Sequence, residues 1–275
     1  MKILVTGANG YLGRGIVNAL LERGQEVVAT DFNLSDVSEN AMKISGDIFE
    51  IENPYEYFGQ PDILLHLAWR DGFIHNSHAH FEDLSKHIVF LEKFFSSPVK
   101  KISVMGSMHE IGFHEGSIDE RTQSRPMNYY GIAKDSLRNF VSFMSESTGT
   151  AFQWLRAYYI VGNTIDGNSI FSKIVQAEKR RELEFPFTTG KNQYDFLDYQ
   201  EFANRVALTV GQDKVSGIIN IASGEPMKLS ERVEHFIKEN NFKIKLKYGA
   251  FPDREYDSIA TWGNNCKIEE ILKQK

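Results

Sequence analysis

The chain opens on a short apolar run and then changes its period. Ile3, Leu4 and Val5 are contiguous, as in a strand covered on both faces, whereas Leu12, Ile16, Val17, Leu20 and Leu21 recur at helical spacing. Gly24 stops that helix, and 26–30 (EVVAT) reads as a second strand. Strands are predicted over 42–45, 62–68, 99–105 and 152–158, with helical patterns over 78–96 and 127–147 between the last three. Apolar strands alternating with helices predict an α/β fold, a Rossmann-type doubly wound parallel sheet with helices on both faces.

Beyond residue 160 the rhythm loosens. Helices are expected over 169–180, 198–210, 228–240 and 264–273, with short strands over 183–187, 217–221 and 243–249. This predicts a smaller C-terminal α/β lobe. The expected division is a dinucleotide-binding domain over 1–160, to which segments near 194–222 return, and a mainly substrate-binding lobe over 161–275.

Composition narrows the partners. A net charge of −6 disfavours nucleic acid and anionic membranes. No apolar run approaches the length of a bilayer span. One cysteine, Cys266, excludes an intrachain disulfide and fits a reducing compartment, and the N-terminus enters a strand directly, so a cytoplasmic protein is expected.

The most specific turn is Thr6-Gly7-Ala8-Asn9-Gly10-Tyr11-Leu12-Gly13, between the first strand and the first helix. A helix N-terminus presents unpaired N–H groups and partial positive charge, and glycine lets phosphate oxygens approach the backbone. The spacing G-x-x-G-x-x-G differs from the common dinucleotide pattern G-x-G-x-x-G. Asp31 ends the second strand, where a carboxylate accepts hydrogen bonds from ribose hydroxyls and repels a 2′-phosphate, favouring NAD. Arg14, in the same turn, leaves NADP open.

A second stretch, 128–140 (NYYGIAKDSLRNF), places Tyr130 and Lys134 on one helix face. Only about one free tyrosine in a thousand is ionised at neutral pH. A neighbouring ammonium is expected to lower the phenol's pKa so that it exchanges protons near neutrality. A third stretch ends a strand at Gly106-Ser107, the edge where ligands of parallel sheets bind.

Together these stretches resemble the extended short-chain dehydrogenase/reductase superfamily, in its NAD-dependent epimerase/dehydratase branch acting on nucleotide sugars. TGANGYLG is similar to the family's TGxxGxxG turn, GDI (46–48) to its adenine-contacting segment, LLHLAW (64–69) to HLAA, GSMHEIG to SSSxxVYG and YYGIAK to YxxxK. WLRAYYIVG (154–162) resembles LRxxNVYG, 194–203 resembles RDFxxVDDVA and 217–231 resembles YNIGSGxxxSxxE. The resemblance implies that Tyr130 is the acid/base, Lys134 binds the nicotinamide ribose and tunes Tyr130, and Ser107 holds the reacting oxygen. It implies NAD contacts at Gly7, Asn9, Gly10, Tyr11, Leu12, Gly13, Asp31, Asp47, Ile48, Leu67 and Ala68.

The departures bear on the substrate. Met108 and His109 replace the acidic pair of the dehydratases, so elimination of water is disfavoured. His109 is expected as an added proton donor or acceptor, or as a loop histidine lining the pocket. Tyr159 and Tyr194 replace an asparagine and an arginine that grip the nucleotide diphosphate, and Arg254 is a candidate cation in their place. Trp69 and Arg70 lie beside the expected sugar site, and His87 falls near an asparagine position of many relatives. His75, His78 and His80 lie within six residues, yet no cysteine or established ligand spacing accompanies them, so no metal is expected.

The expected activity is reduction of a 4-keto-6-deoxy sugar nucleotide. A 4-epimerase using the same triad is the alternative, and a dinucleotide-sensing regulator the third reading. A homodimer through the two long helices would use Leu137, Phe140, Val141 and Met144, unless these face the sheet.

Overall fold

The structure, a computed structural model, describes residues 1–162, 169–253 and 258–274. Its centre is a sheet of seven strands in the order Gly217–Ile221, Ala151–Ala157, Lys101–Ser107, Ile63–His66, Lys2–Thr6, Glu26–Asp31 and Met42–Ser45. Every neighbouring pair is parallel. All residues of Ile63–His66 and Lys101–Ser107 are buried, as in parallel strands covered on both faces.

Helices cover both faces. On one, Ile16, Val17 and Leu20 of the helix Tyr11–Glu22 meet Phe202, Val206 and Val210 of Tyr199–Val210 and Ile268 and Ile271 of Cys266–Leu272. On the other, Phe90 and Phe94 of Leu84–Phe95 and Leu137 and Val141 of Tyr129–Thr148 pack with Trp154. Each such side chain contributes about 1.5–3 kcal/mol on burial. From Lys2–Thr6 the chain builds outward in both directions, so the crevice beyond the carboxyl ends of Lys2–Thr6 and Ile63–His66 is the switch point where ligands of such sheets bind.

A second sheet orders Pro226–Lys228, Gln193–Asp198, Ala260–Gly263 and Gly116–Ile118, with Tyr159–Val161 pairing the far end of Gln193–Asp198. Glu184–Pro186 and Lys245–Lys247 form a separate pair. Phe171, Phe187, Tyr194, Phe196 and Phe236 fill the core of this region. Buried Asp195 joins the two sheets: its carboxylate accepts from the N–H groups of Ser223 (2.7 Å), Gly224 (2.9 Å) and Gly263 (3.2 Å).

Three expectations change. The helix expected over 78–96 is broken into Ala79–Glu82 and Leu84–Phe95, and Asp83 at the break takes ion pairs from Arg70 (2.8 Å) and Lys86 (2.9 Å). Leu137 and Val141 are fully buried against the sheet, with Phe140 and Met144 packed on the same cluster. The solvent side of that helix carries Ile132 and Phe143 instead. The strands Gly116–Ile118, Tyr159–Val161, Gln193–Asp198, Pro226–Lys228 and Ala260–Gly263 were not expected: four have three or four residues and no readable period, and Gln193–Asp198 carries the polar Asp195 among its buried positions.

Candidate active site

The glycine turn is shaped first by the protein itself. Gly7 has φ +67, and a Cβ there would lie 2.7 Å from the Ala68 nitrogen; at Gly13 it would lie 2.2 Å from the Gly7 carbonyl oxygen. Both positions exclude side chains so that the turn can fold tightly against the neighbouring strand end. The helix that follows has Gly10 as N-cap, with no side-chain cap and no acidic residue in its first turn. Its leading N–H groups therefore suit an anion, and the turn fits a dinucleotide pyrophosphate.

Asp31 accepts from the Asn9 N–H (3.0 Å) and the Phe32 N–H (2.8 Å), which fixes its carboxylate beside the turn. Arg14 is paired with Asp36 at 3.1 Å. Asp47 caps a short turn by accepting from Phe49, and Ile48 is buried behind it. The Leu67 and Ala68 N–H groups donate to the Thr6 carbonyl (3.2 Å) and hydroxyl (3.3 Å). Leu12 packs into the core, while the Tyr11 ring contacts Tyr199 and Phe73, and burial pushes its phenol up to about 12. Tyr199, which sequence reasoning missed, accepts from the Gly15 N–H (3.0 Å) and donates to the Tyr11 carbonyl (2.5 Å). It straps the start of this helix.

Ser107, Tyr130 and Lys134 come together at the end of Lys101–Ser107 and the start of Tyr129–Thr148. The Ser107 side chain lies beside the Tyr130 phenol and favours its ionised form. The Lys134 ammonium donates to the Met105 carbonyl (2.9 Å) and lies 5.9 Å from the centre of the Tyr130 ring. Burial pushes Tyr130 up to about 12, with the Ser107 side chain acting in the opposite direction, and pushes Lys134 down to about 7. This corrects the expectation that Lys134 would depress the phenol: desolvation dominates both groups and disfavours both charges.

Ser107 is held from behind. Its N–H faces the carboxylate of Glu110 (3.5 Å), and its hydroxyl accepts from the His109 N–H (3.3 Å), a capping box. Fully buried Glu110 is itself paired with Arg156 Nε (2.7 Å) and accepts from the Trp154 indole N–H (2.8 Å). The sequence signal was available, an acidic residue three after Ser107, but its partners lie on a later strand.

Histidines and Trp69 line the other side of Tyr130. The His75 ring stacks on Tyr130 (5.6 Å between centres) and lies 4.2 Å from His109. His109 is pushed down to about 3 by burial and His75 is also lowered, so both stay neutral at pH 7. Of the two expectations for His109, this favours the neutral histidine lining the pocket over a group titrating near neutrality. His80 accepts from the Trp69 indole N–H (3.0 Å), and its other nitrogen lies 3.0 Å from the Ile74 carbonyl. His78 contacts Tyr129. His75 and His80 thus both lie against the Tyr130 ring, whereas His78 faces Tyr129.

The remaining substrate candidates scatter. Arg70 is bound to Glu82 (2.9 Å) and Asp83 (2.8 Å). Tyr159 stacks on Tyr194 (4.6 Å) in the aromatic core of the second sheet. Arg254 lies outside the described residues.

A parallel sheet with a glycine turn at its switch point, and a serine, tyrosine and lysine converging beside it, define a dinucleotide-dependent enzyme. The chain belongs to the NAD dependent epimerase/dehydratase family, whose family model matches residues 3–222. It is similar to the dTDP-6-deoxy-L-talose 4-dehydrogenase (NAD(+)) of Aggregatibacter actinomycetemcomitans, 42% identical over 96% of this chain and 99% of that one. It is 27% identical to the UDP-glucose 4-epimerase of Streptococcus mutans, over 100% of this chain and 92% of that one. Among solved structures, the UDP-glucose 4-epimerase of Thermus thermophilus in complex with NAD superposes with a TM-score of 0.82 at 20% identity, covering 98% of this chain and 92% of that one. That likeness is one of fold.

Proposed function

We propose that this protein is an NAD-dependent oxidoreductase that interconverts the C4 carbonyl and C4 hydroxyl of a nucleotide-linked 6-deoxy sugar. The observation that carries the reading is the end-to-end similarity to a 4-dehydrogenase of such a sugar, at 42% identity. NAD, when bound, supplies the hydride acceptor or donor. The glycine turn and the helix N-terminus after Gly10 would hold its pyrophosphate, and Asp31 its adenosine ribose. Tyr130 exchanges the proton with the C4 oxygen, and Ser107 holds that oxygen through its hydroxyl. Glu110 fixes the backbone of Ser107. The neutral imidazoles of His75 and His109 give the pocket hydrogen-bonding groups without charge.

The large sheet serves the dinucleotide and the second sheet the sugar nucleotide, with the boundary near residue 160 and a return to the first lobe from Tyr199. Exposed Phe81, Val89, Ile132 and Phe143 on adjacent helices support a homodimer. No described helix is long and apolar enough to cross a membrane; with the acidic balance and the single exposed cysteine, a cytoplasmic setting fits.

The test is a panel of nucleotide-linked 4-keto-6-deoxy sugars with NADH. Stoichiometric NADH oxidation is expected, and Tyr130→Phe should lower kcat by about 10²–10⁴. Interconversion of two sugar nucleotides with no net cofactor consumption would instead establish a 4-epimerase.

A further inference from the structure

Lys134 has a neighbour that the proposed reaction does not explain. Its ammonium lies 3.8 Å from the centre of the Trp69 indole, well inside the roughly 6 Å over which a cation is attracted to an aromatic face. Trp69 is held by more than packing. Its N–H donates to His80 Nδ1 at 3.0 Å, and its face stacks on His87, 4.6 Å between ring centres and 15° between planes. His87 Nδ1 lies 2.9 Å from His66 Nε2, and His66 Nδ1 lies 2.8 Å from the Thr6 hydroxyl at the end of the first strand. His66, His80 and His87 are all buried.

We propose that Trp69 is a positioning residue for Lys134, its indole face serving as the ammonium's partner beside the Met105 carbonyl and being fixed in turn by the chain Thr6–His66–His87 and by His80. This rests on the reading that Lys134 serves the oxidoreductase site. It assigns Trp69 to the lysine rather than to selection of the sugar. The carbonyl uses one of the three ammonium donors, and the indole face attracts the charge without consuming the others, which stay available to ligand hydroxyls. The titratable groups facing Lys134 are Glu110 from the turn after Ser107, Tyr130 one helical turn earlier, and His66 and His87 from the strand and helix opposite. Of these only Glu110 favours the ammonium electrostatically. The indole at 3.8 Å is the nearer of two aromatic faces, the Tyr130 ring lying at 5.9 Å, and adds to the attraction of Glu110 and the Met105 carbonyl.

The test uses the full chain with lysine ε-carbons labelled with ¹³C, and the Lys134 signal assigned through K134R. In the wild type the ε-CH₂ protons should resonate upfield of the other lysines, because they sit over an aromatic face. W69F should retain part of that displacement and W69L none. The Lys134 titration midpoint should fall by about one unit in W69L, since the charged form loses its π partner. A wild-type Lys134 signal among the ordinary lysines, or the same midpoint in W69L as in the wild type, overturns the proposal. The wild-type spectrum needs no variant to fold and no substrate. Turnover is read separately: kcat should fall about tenfold in W69L and less in W69F. If the wild type reduces no nucleotide-linked keto sugar, the oxidoreductase reading fails, while the lysine signal still judges Trp69.

Discussion

At Tyr130 the phenol is held in its protonated form to about pH 12, while Lys134 loses its proton near pH 7. A protonated phenol is a donor, which suits the proposed carbonyl reduction at neutral pH. The limiting ionisation is that of the lysine. For reduction, kcat/KM should fall as pH rises through about 7, because this ratio reports the free enzyme and the ammonium is lost there. His109→Gln should leave that midpoint in place, since His109 is already neutral. Asp31 supports a second expectation. Its carboxylate is fixed by Asn9 and Phe32, and Arg14 is occupied by Asp36, so NADH should be preferred to NADPH. Asp31→Ser should narrow the ratio of the two kcat/KM values by about tenfold, the range of one charged hydrogen bond. Ser107, Tyr130 and Lys134 were legible because their spacing lies within single elements. The platform beneath Lys134 was not, because Thr6, His66, Trp69, His80 and His87 meet only through the fold.

Among the elements, the strand ending at Ser107 depends on charge buried behind it. Removing one member of a buried ion pair leaves the other charge without compensation. Glu110→Ala should therefore lower the unfolding free energy by about 3–5 kcal/mol, read from denaturant midpoints, and should strand both Arg156 and the Trp154 N–H. Element types were legible where burial imposed an apolar period, and not at Gln193–Asp198, whose buried positions include Asp195. The strand Ile63–His66 is covered on both faces and opens on the apolar run Ile63-Leu64-Leu65, and the helix Tyr11–Glu22 turns its buried positions to one side. Gly116–Ile118 and Ala260–Gly263 were illegible because their pairing is decided by partners far away in sequence. The break at Asp83 escaped for the same reason: Arg70, from a preceding loop, claims its carboxylate.

For the whole molecule, buried histidines couple stability to pH. His66 is held well below its ordinary range, and His87 and His109 are pushed down to about 3, in each case chiefly by burial. Unfolded histidines take up protons below about 6.5, whereas these do not until the pH is far lower. The unfolded chain thus binds more protons across that window, and stability is lost as pH falls. Each fully shifted histidine should contribute about 2 kcal/mol of loss between pH 6.5 and 5, and His87→Gln should remove part of that slope in denaturant titrations.

The helix carrying Tyr130 is tethered at its first turn to the segment before it in the fold: the Tyr130 N–H donates to the His75 carbonyl (2.9 Å) and the Tyr129 N–H to the Asn76 side chain (3.3 Å). Tyr130 thus hangs from two separate stretches of chain. Insertion of even one residue between Trp69 and Asn76 would shift that mooring, so the length of this loop is tied to the placement of the Tyr130 ring.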